Sequence, residues 1–188
     1  MPETSQTREE ILATALALFT AQGYDGTSLR QIADRLGFTK AALYYHFPAK
    51  EHLAIELTRP WLDAISNLVT LDNEHSRASE EDDDARRIRL LSDYADIFIA
   101  HHGVLQFLSQ DVAAMRNPDV GKRARALILA LQDALAGPEA DEADRIRVAC
   151  ALSVVHAIGL LDASAIAAGR GIVISSALAV LGVHAPVD

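Results

Sequence analysis

The stretch Thr27–Lys50, TSLRQIADRLGFTKAALYYHFPAK, decides how this chain is read. Leu29, Ile32, Ala33 and Leu36 recur at helical spacing behind a cap at Thr27 or Ser28, and Gly37 supplies a positive-φ turn. Thr39 then caps a short helix with Ala42, Leu43 and Phe47 on its inner side, and Pro48 stops it. Two short helices around a glycine turn predict a helix-turn-helix, whose second helix enters the major groove of DNA. With Leu36, Leu43 and Phe47 turned inward beside Leu18 and Phe19, the residues left to project are Thr39, Lys40, Ala41, Tyr44, Tyr45 and His46. Lys40 can donate to guanine or phosphate, Ala41 can meet a thymine methyl, and Tyr44 and His46 can hydrogen-bond phosphate through rigid rings. Thr27, Ser28 and Arg30 stand where the N–H groups of a helix start favour an anion, and Lys50 opens a fourth helix in the same way. The alternative is a DNA-free bundle with Tyr44 and Tyr45 as a packing pair. It does not explain why Lys40 and Lys50 flank two tyrosines and a histidine in an acidic chain.

Working outward, Ile11, Leu12, Ala15, Leu18 and Phe19 give a first helix, capped by Thr7 with Glu10 as its capping-box partner and ended by Gly23. The fourth helix carries Leu53, Leu57, Trp61, Ile65 and Leu68 on one side, and Pro60 inside it predicts either a kink or a helix boundary. From Leu71 to Ala85 the periodicity lapses around SEEDDD, which predicts an exposed, mobile loop partly neutralised by Arg86, Arg87 and Arg89. Further helices are expected over Ile88–His101, Val104–Met115, from Pro118 to Gly137, over Ile146–Ala168 and over Ile172–Leu181. Gly169-Arg170-Gly171 is expected to separate the last two. No strand alternation competes, so the fold class is all-α, with about nine helices.

The chain has 188 residues, 50% of them hydrophobic, and a net charge of −9. Its charge is uneven. Residues 1–50 balance Arg8, Arg30, Arg35, Lys40 and Lys50 against Glu3, Glu9, Glu10, Asp25 and Asp34, so the whole deficit lies beyond residue 50. An acidic body repels phosphate, which confines a DNA-facing surface to the N-terminal segment. Cys150 is the only cysteine, so no internal disulfide forms, and MPETSQTREE lacks the blocks of a signal peptide; a cytoplasmic location is expected. The low-charge run Val148–Ala168 holds His156, Asp162 and several small residues, which suits a close helix–helix contact better than a membrane span. No nucleophile elbow, zinc pair or carboxylate dyad has a spacing that assembles a site, and the adjacent His101 and His102 point apart on a helix. No enzyme activity, cofactor or metal is expected.

The block Ile11–Leu53 resembles the N-terminal domain of the TetR/AcrR family of bacterial transcriptional regulators. The resemblance rests on the entry GYDGTS (Gly23–Ser28), the turn IADRLG (Ile32–Gly37) and the exit LYYHFPAK (Leu43–Lys50). It implies a helix-turn-helix DNA-binding domain over residues 1–50 and a helical effector-binding and dimerisation domain over 51–188. It further implies a homodimer on a palindromic operator and repression relieved by a small ligand. The implied DNA contacts are Ser28, Arg30, Thr39, Lys40, Ala41, Tyr44, Tyr45, His46 and Lys50. For the dimer, the last two long helices offer Ala149, Leu152, Ser153, His156, Gly159, Ile174 and Leu178. For a largely apolar effector, the bulky candidates are Trp61, Ile65, Tyr94, Phe98, Phe107, Met115, Leu127 and Leu131, with His101 as a polar contact. Both sets have a plainer alternative as ordinary core. Helix four joins the two parts, and a ligand wedging helices near Pro60 is expected to rotate the reading heads out of register.

Overall fold

The computed structural model describes residues 2–78, 81–110, 118–161 and 163–183, and among these the fold is all-α. The helices are α1 (Pro2–Gln22), α2 (Leu29–Leu36), α3 (Lys40–His46), α4 (Lys50–Ala78), α5 (Asp83–Ala100), α6 (His102–Gln110), α7 (Pro118–Ala136), α8 (Glu142–His156) and α9 (Ala163–Leu181). Two compact units are formed, Met1–Pro60 with Gly103–Lys122, and Trp61–His102 with Arg123–Asp188. Residues 111–117, including Met115, lie outside the described residues.

In the first unit α2 packs against both α1 and α3. Ile11, Ala15, Phe19, Ile32, Ala33, Leu43, Phe47 and Leu53 are buried, as the helical spacing required, while Leu12, Leu18 and Leu36 are half-buried. Phe19 stacks on Phe107 at 5.2 Å and meets Tyr24 at 5.1 Å. The α1–α2 connection is tight. A Cβ on Gly26 would lie 2.4 Å from the carbonyl oxygen of Gln22, so only glycine fits there. Thr27 is buried; its hydroxyl donates to the Gly23 carbonyl at 2.8 Å and accepts from Gln22 Nε2 at 3.2 Å. This corrects the expected phosphate-facing role of Thr27. Helix α1 begins at Pro2, so Thr7 is an interior residue and not a cap. Proline suits a first helical position, and no residue from Pro2 to Glu10 interrupts a helix after it.

Helix α4 is continuous through Pro60, which rules out the helix boundary considered there. The proline leaves the Glu56 carbonyl without its usual i+4 donor. Helix α4 also extends to Ala78, and Asp82 caps α5 by accepting from the Ala85 N–H at 3.4 Å. The expected loop over 71–85 therefore shrinks to a short connection. Asp83 and Asp84 occupy the first turn of α5, where the helix dipole favours negative charge. Asp72 is fully buried in the second unit, accepting a fork from Arg86 at 3.1 and 2.5 Å and a further bond from Arg89 at 3.0 Å. Arg89 also holds Glu81 at 2.7 Å, and that hydrogen bond lowers the acid's pKa. A buried carboxylate is tolerable only with such partners.

Helices α5, α8 and α9 pack together in the second unit. Asp141 and Asp144 form a capping box at the start of α8. The helix expected over Ile146–Ala168 instead ends at His156, tightens into a 3₁₀ turn over Ala157–Leu160 and becomes extended at Leu161. Helix α9 then runs straight through Gly169-Arg170-Gly171, which is no separator. Within it Arg170 pairs with Asp96 of α5 through two bonds of 2.6 and 2.8 Å. A Cβ at Gly169 or Gly171 would meet nothing within 4 Å. Replacing either by alanine should thus raise unfolding stability by about 0.5–1 kcal/mol in urea denaturation, the helix-propensity gain. Destabilisation by both substitutions would mean that the segment is a turn after all.

Candidate nucleic-acid interface

Ser28 begins the helix-turn-helix with a capping box. Its hydroxyl accepts from the Gln31 N–H at 3.2 Å, and its own N–H donates to Gln31 Oε1 at 2.7 Å. Helix α2 ends at Gly37, whose φ of 70° is the left-handed conformation a side chain would resist. The Phe38 N–H returns to the Ala33 carbonyl at 2.9 Å and closes the turn. Helix α3 follows with Thr39 Oγ1 accepting from the Ala42 N–H at 3.1 Å. It has only 7 residues, far too few to persist alone. Leu43 and Phe47 fix it by burying one side, four residues apart.

Arg8 supplies a clamp that the sequence did not reveal. Its guanidinium lies 4.5 Å over the Phe47 ring, donates to the His46 carbonyl at 3.2 Å and pairs with Glu56 at 3.4 Å. One side chain thus ties α1 to the end of α3 and the start of α4. Local sequence marks Arg8 only as one more cation on a helix, so its partners were not legible.

The opposite face of α3 is open. Tyr45 is 82% and Tyr44 40% exposed, and Thr39, Lys40 and Ala41 are exposed beside them. The Lys40 ammonium sits 5.3 Å from the Tyr44 ring centre, and the half-buried His46 ring meets Tyr45 edge-on at 5.3 Å. Ala42, expected inside, is exposed as well, because so short a helix rests on the core through few positions. Ser28 and Arg30 are exposed at the start of α2, with Arg30 3.7 Å from Asp34. Lys50 is more committed. Its ammonium donates to the Tyr24 carbonyl at 2.7 Å and lies 4.1 Å over that residue's ring.

Among the effector candidates, Trp61, Ile65, Tyr94, Phe98 and Leu131 are buried, and Leu127 and His101 are half-buried. Phe98 gathers the rings of the second unit. It meets Trp61 at 6.4 Å and Tyr94 at 5.0 Å, and stacks on His156 at 4.9 Å. The Tyr94 hydroxyl and His156 Nε2 share a hydrogen bond of 2.8 Å. His156, assigned above to the dimer seam, thus joins the aromatic cluster, whereas Phe107 belongs to the first unit with Phe19. An open groove of about 540 Å³, lined by Val69, Asn73, Arg86, Ala134 and Arg145 among others, includes none of the effector candidates. Of the dimer candidates, Leu152, Ile174 and Leu178 are buried within their own chain, Ala149 is half-buried, Ser153 is exposed and Gly159 lies in the 3₁₀ turn. The exposed large apolar residues of α8 and α9 are Ile146, Ile172 and Val180. Among the described residues no helix is long and apolar enough to cross a membrane, and no group of His, Cys, Asp or Glu could hold a metal ion.

A capped helix, a glycine turn and a second helix anchored on one side and open on the other make this a helix-turn-helix protein of the DNA-binding class. Residues 11–57 match the family model of bacterial regulatory proteins of the tetR family. The chain is 58% identical over 50 residues to the HTH-type transcriptional regulator LmrA of Bacillus subtilis, covering 26% of this chain and 27% of that protein. It is 33% identical over 72 residues to IcaR of Staphylococcus aureus, a negative transcriptional regulator of the icaADBC biofilm operon, covering 38% of this chain and 39% of IcaR. The chain therefore spans well under half the length of these curated relatives. The structure of Mycobacterium smegmatis AmtR shares the fold more widely, with a TM-score of 0.73 and 24% identity over 95% of this chain and 87% of that one. Residues 11–57 are therefore an N-terminal domain of the TetR family of transcriptional regulators.

The aromatic cluster generates a pH prediction. Burial lowers the pKa of His156 below the usual 6.5, so the folded chain favours the neutral ring. The stability it contributes is complete above pH 6.5 and is lost as the pH falls towards the lowered folded value. The melting temperature should decline on acidification from pH 7.5 to 5, and less steeply in His156→Gln. Parallel declines in the two proteins would remove His156 from the acid response.

Proposed function

We propose that this chain is a repressor that binds a palindromic operator as a homodimer and is released by a small, largely apolar effector. The observation that carries the reading is the open face of α3, with Tyr45 82% exposed and Lys40 and Tyr44 beside it on a helix anchored from behind. In this reading residues 1–50 read DNA and 51–188 sense the effector and dimerise. Lys40 and Tyr44 reach base edges and phosphate, with Thr39, Ala41, Tyr45 and His46 around them. Ser28 and Arg30 present the exposed start of α2 to the backbone. Lys50, with one ammonium proton on Tyr24, has two left for phosphate.

A palindrome matches a two-fold protein. Exposed Ile146, Ile172 and Val180, with Ala149 and Ser153, supply apolar and small surface on α8 and α9 for a second copy, and Leu152, Ile174 and Leu178 support those helices from behind. The name of IcaR as a negative regulator favours repression here. The rings around Phe98 favour an apolar effector, and α4, continuous through Pro60, is the path by which binding would displace the reading heads. The site of action is the cytoplasm, where the operator is.

The test is selection of an operator from random duplexes, followed by anisotropy titrations. Half-sites should lie about 34–36 Å apart. Lys40→Ala and Tyr44→Ala should each weaken binding by about 1–3 kcal/mol, and Lys40→Ala should also reduce the salt slope by about one. Unchanged affinity in both variants would overturn the assignment of α3. Effector release that is unaltered in Pro60→Ala would exclude that residue as a hinge.

A further inference from the structure

We propose that the effector site takes a neutral, flat, largely aromatic molecule whose carbonyl oxygen accepts a hydrogen bond from the indole N–H of Trp61. The inference deepens the effector reading above and rests on it. Trp61 is 5% exposed, and its Nε1 is the one buried side-chain nitrogen or oxygen among the described residues without a hydrogen-bond partner. Buried tryptophan N–H groups normally find an acceptor, and leaving such a bond unmade is unfavourable. Such a donor is open to an acceptor from outside the chain.

The surroundings define the rest of the ligand. Trp61 stands edge-on to Phe98, which is tilted against Tyr94 and stacked on His156. Rings in these orientations favour a flat partner that offers faces and edges of its own. Tyr94 and His156 are already joined to each other, so Trp61 is the donor of the cluster still in need of an acceptor. A carboxylate would enter this site without a cation to meet it. Burial keeps His156 neutral, and Arg170, the arginine of α9, is held by Asp96. An uncompensated buried charge is far costlier than a neutral carbonyl, which one N–H can satisfy. The position also suits an effector, because Trp61 follows Pro60 directly on α4.

Trp61 is the only tryptophan, so its emission reports on this site alone. The intact protein is titrated by calorimetry and by tryptophan fluorescence with two ketone–hydrocarbon pairs, acetophenone with ethylbenzene and fluorenone with fluorene, and with fluorene-9-carboxylate. In at least one pair the ketone should bind at least tenfold more tightly than its hydrocarbon, about 1.4 kcal/mol, and perturb the emission. Fluorene-9-carboxylate should bind more weakly than fluorenone. Trp61→Phe keeps a ring and removes the donor. By calorimetry it should retain hydrocarbon binding, lose the ketone preference and be at least as stable as the parent. Equal binding of ketone and hydrocarbon in both pairs, no binding by any probe, a carboxylate preference, or a ketone preference that survives Trp61→Phe would overturn the proposal. Operator anisotropy separates the two levels. A ketone that binds through Trp61 yet leaves the operator bound upholds the site and refutes the effector reading. Release that is indifferent to Trp61→Phe does the reverse.

Discussion

The burial of Leu43 and Phe47 is the constraint on which the exposed face of α3 depends. Helix α3 has 7 residues and no stability of its own. Each buried side chain contributes about 1.5–3 kcal/mol, and the Thr39 cap adds about 1 kcal/mol. Their positions also decide geometry. Residues four apart occupy one side of a helix, so fixing 43 and 47 inward sends Ala41 and Tyr45 to the other side and Tyr44 to the flank, while Lys40 is exposed at the helix start. Arg8 completes the clamp by covering the Phe47 ring and bonding the His46 carbonyl. Exposure of two aromatic rings is therefore a consequence of how the helix is held.

This region was legible in the sequence because its signals are local. Ser28 with Gln31, Gly37, and Leu43 with Phe47 each act within a few residues, and each appears in the structure as a capping box, a left-handed turn and an anchor. Local signals mislead where a partner is distant. The acids near residue 82 resembled a loop, yet Asp82 caps α5 and Asp72 is buried against Arg86 and Arg89, 14 and 17 residues away. Gly169-Arg170-Gly171 resembles a break, yet α9 continues through it while packed against α5 and α8. The aromatic residues of the body lie on helices, as their spacing predicts, but spacing does not say that His156 joins Phe98 while Phe107 joins Phe19.

Charge separates the two parts of the chain chemically. In the second unit Arg86, Arg89, Arg123, Arg145 and Arg170 are each bonded to a carboxylate of the same unit. The exposed pairs among them add little stability, but all neutralise cations within a body that is acidic as a whole. Lys40 rests instead over the Tyr44 ring on an exposed helix. The acidic excess lies beyond residue 50 and disfavours a polyanion there.

Amide hydrogen exchange with and without a selected operator duplex tests that picture most directly. A DNA-reading α3 predicts slowed exchange at Leu29–Gln31 and across Thr39–His46. Slowing confined to residues beyond 60, with the amides of α3 unchanged, would contradict it.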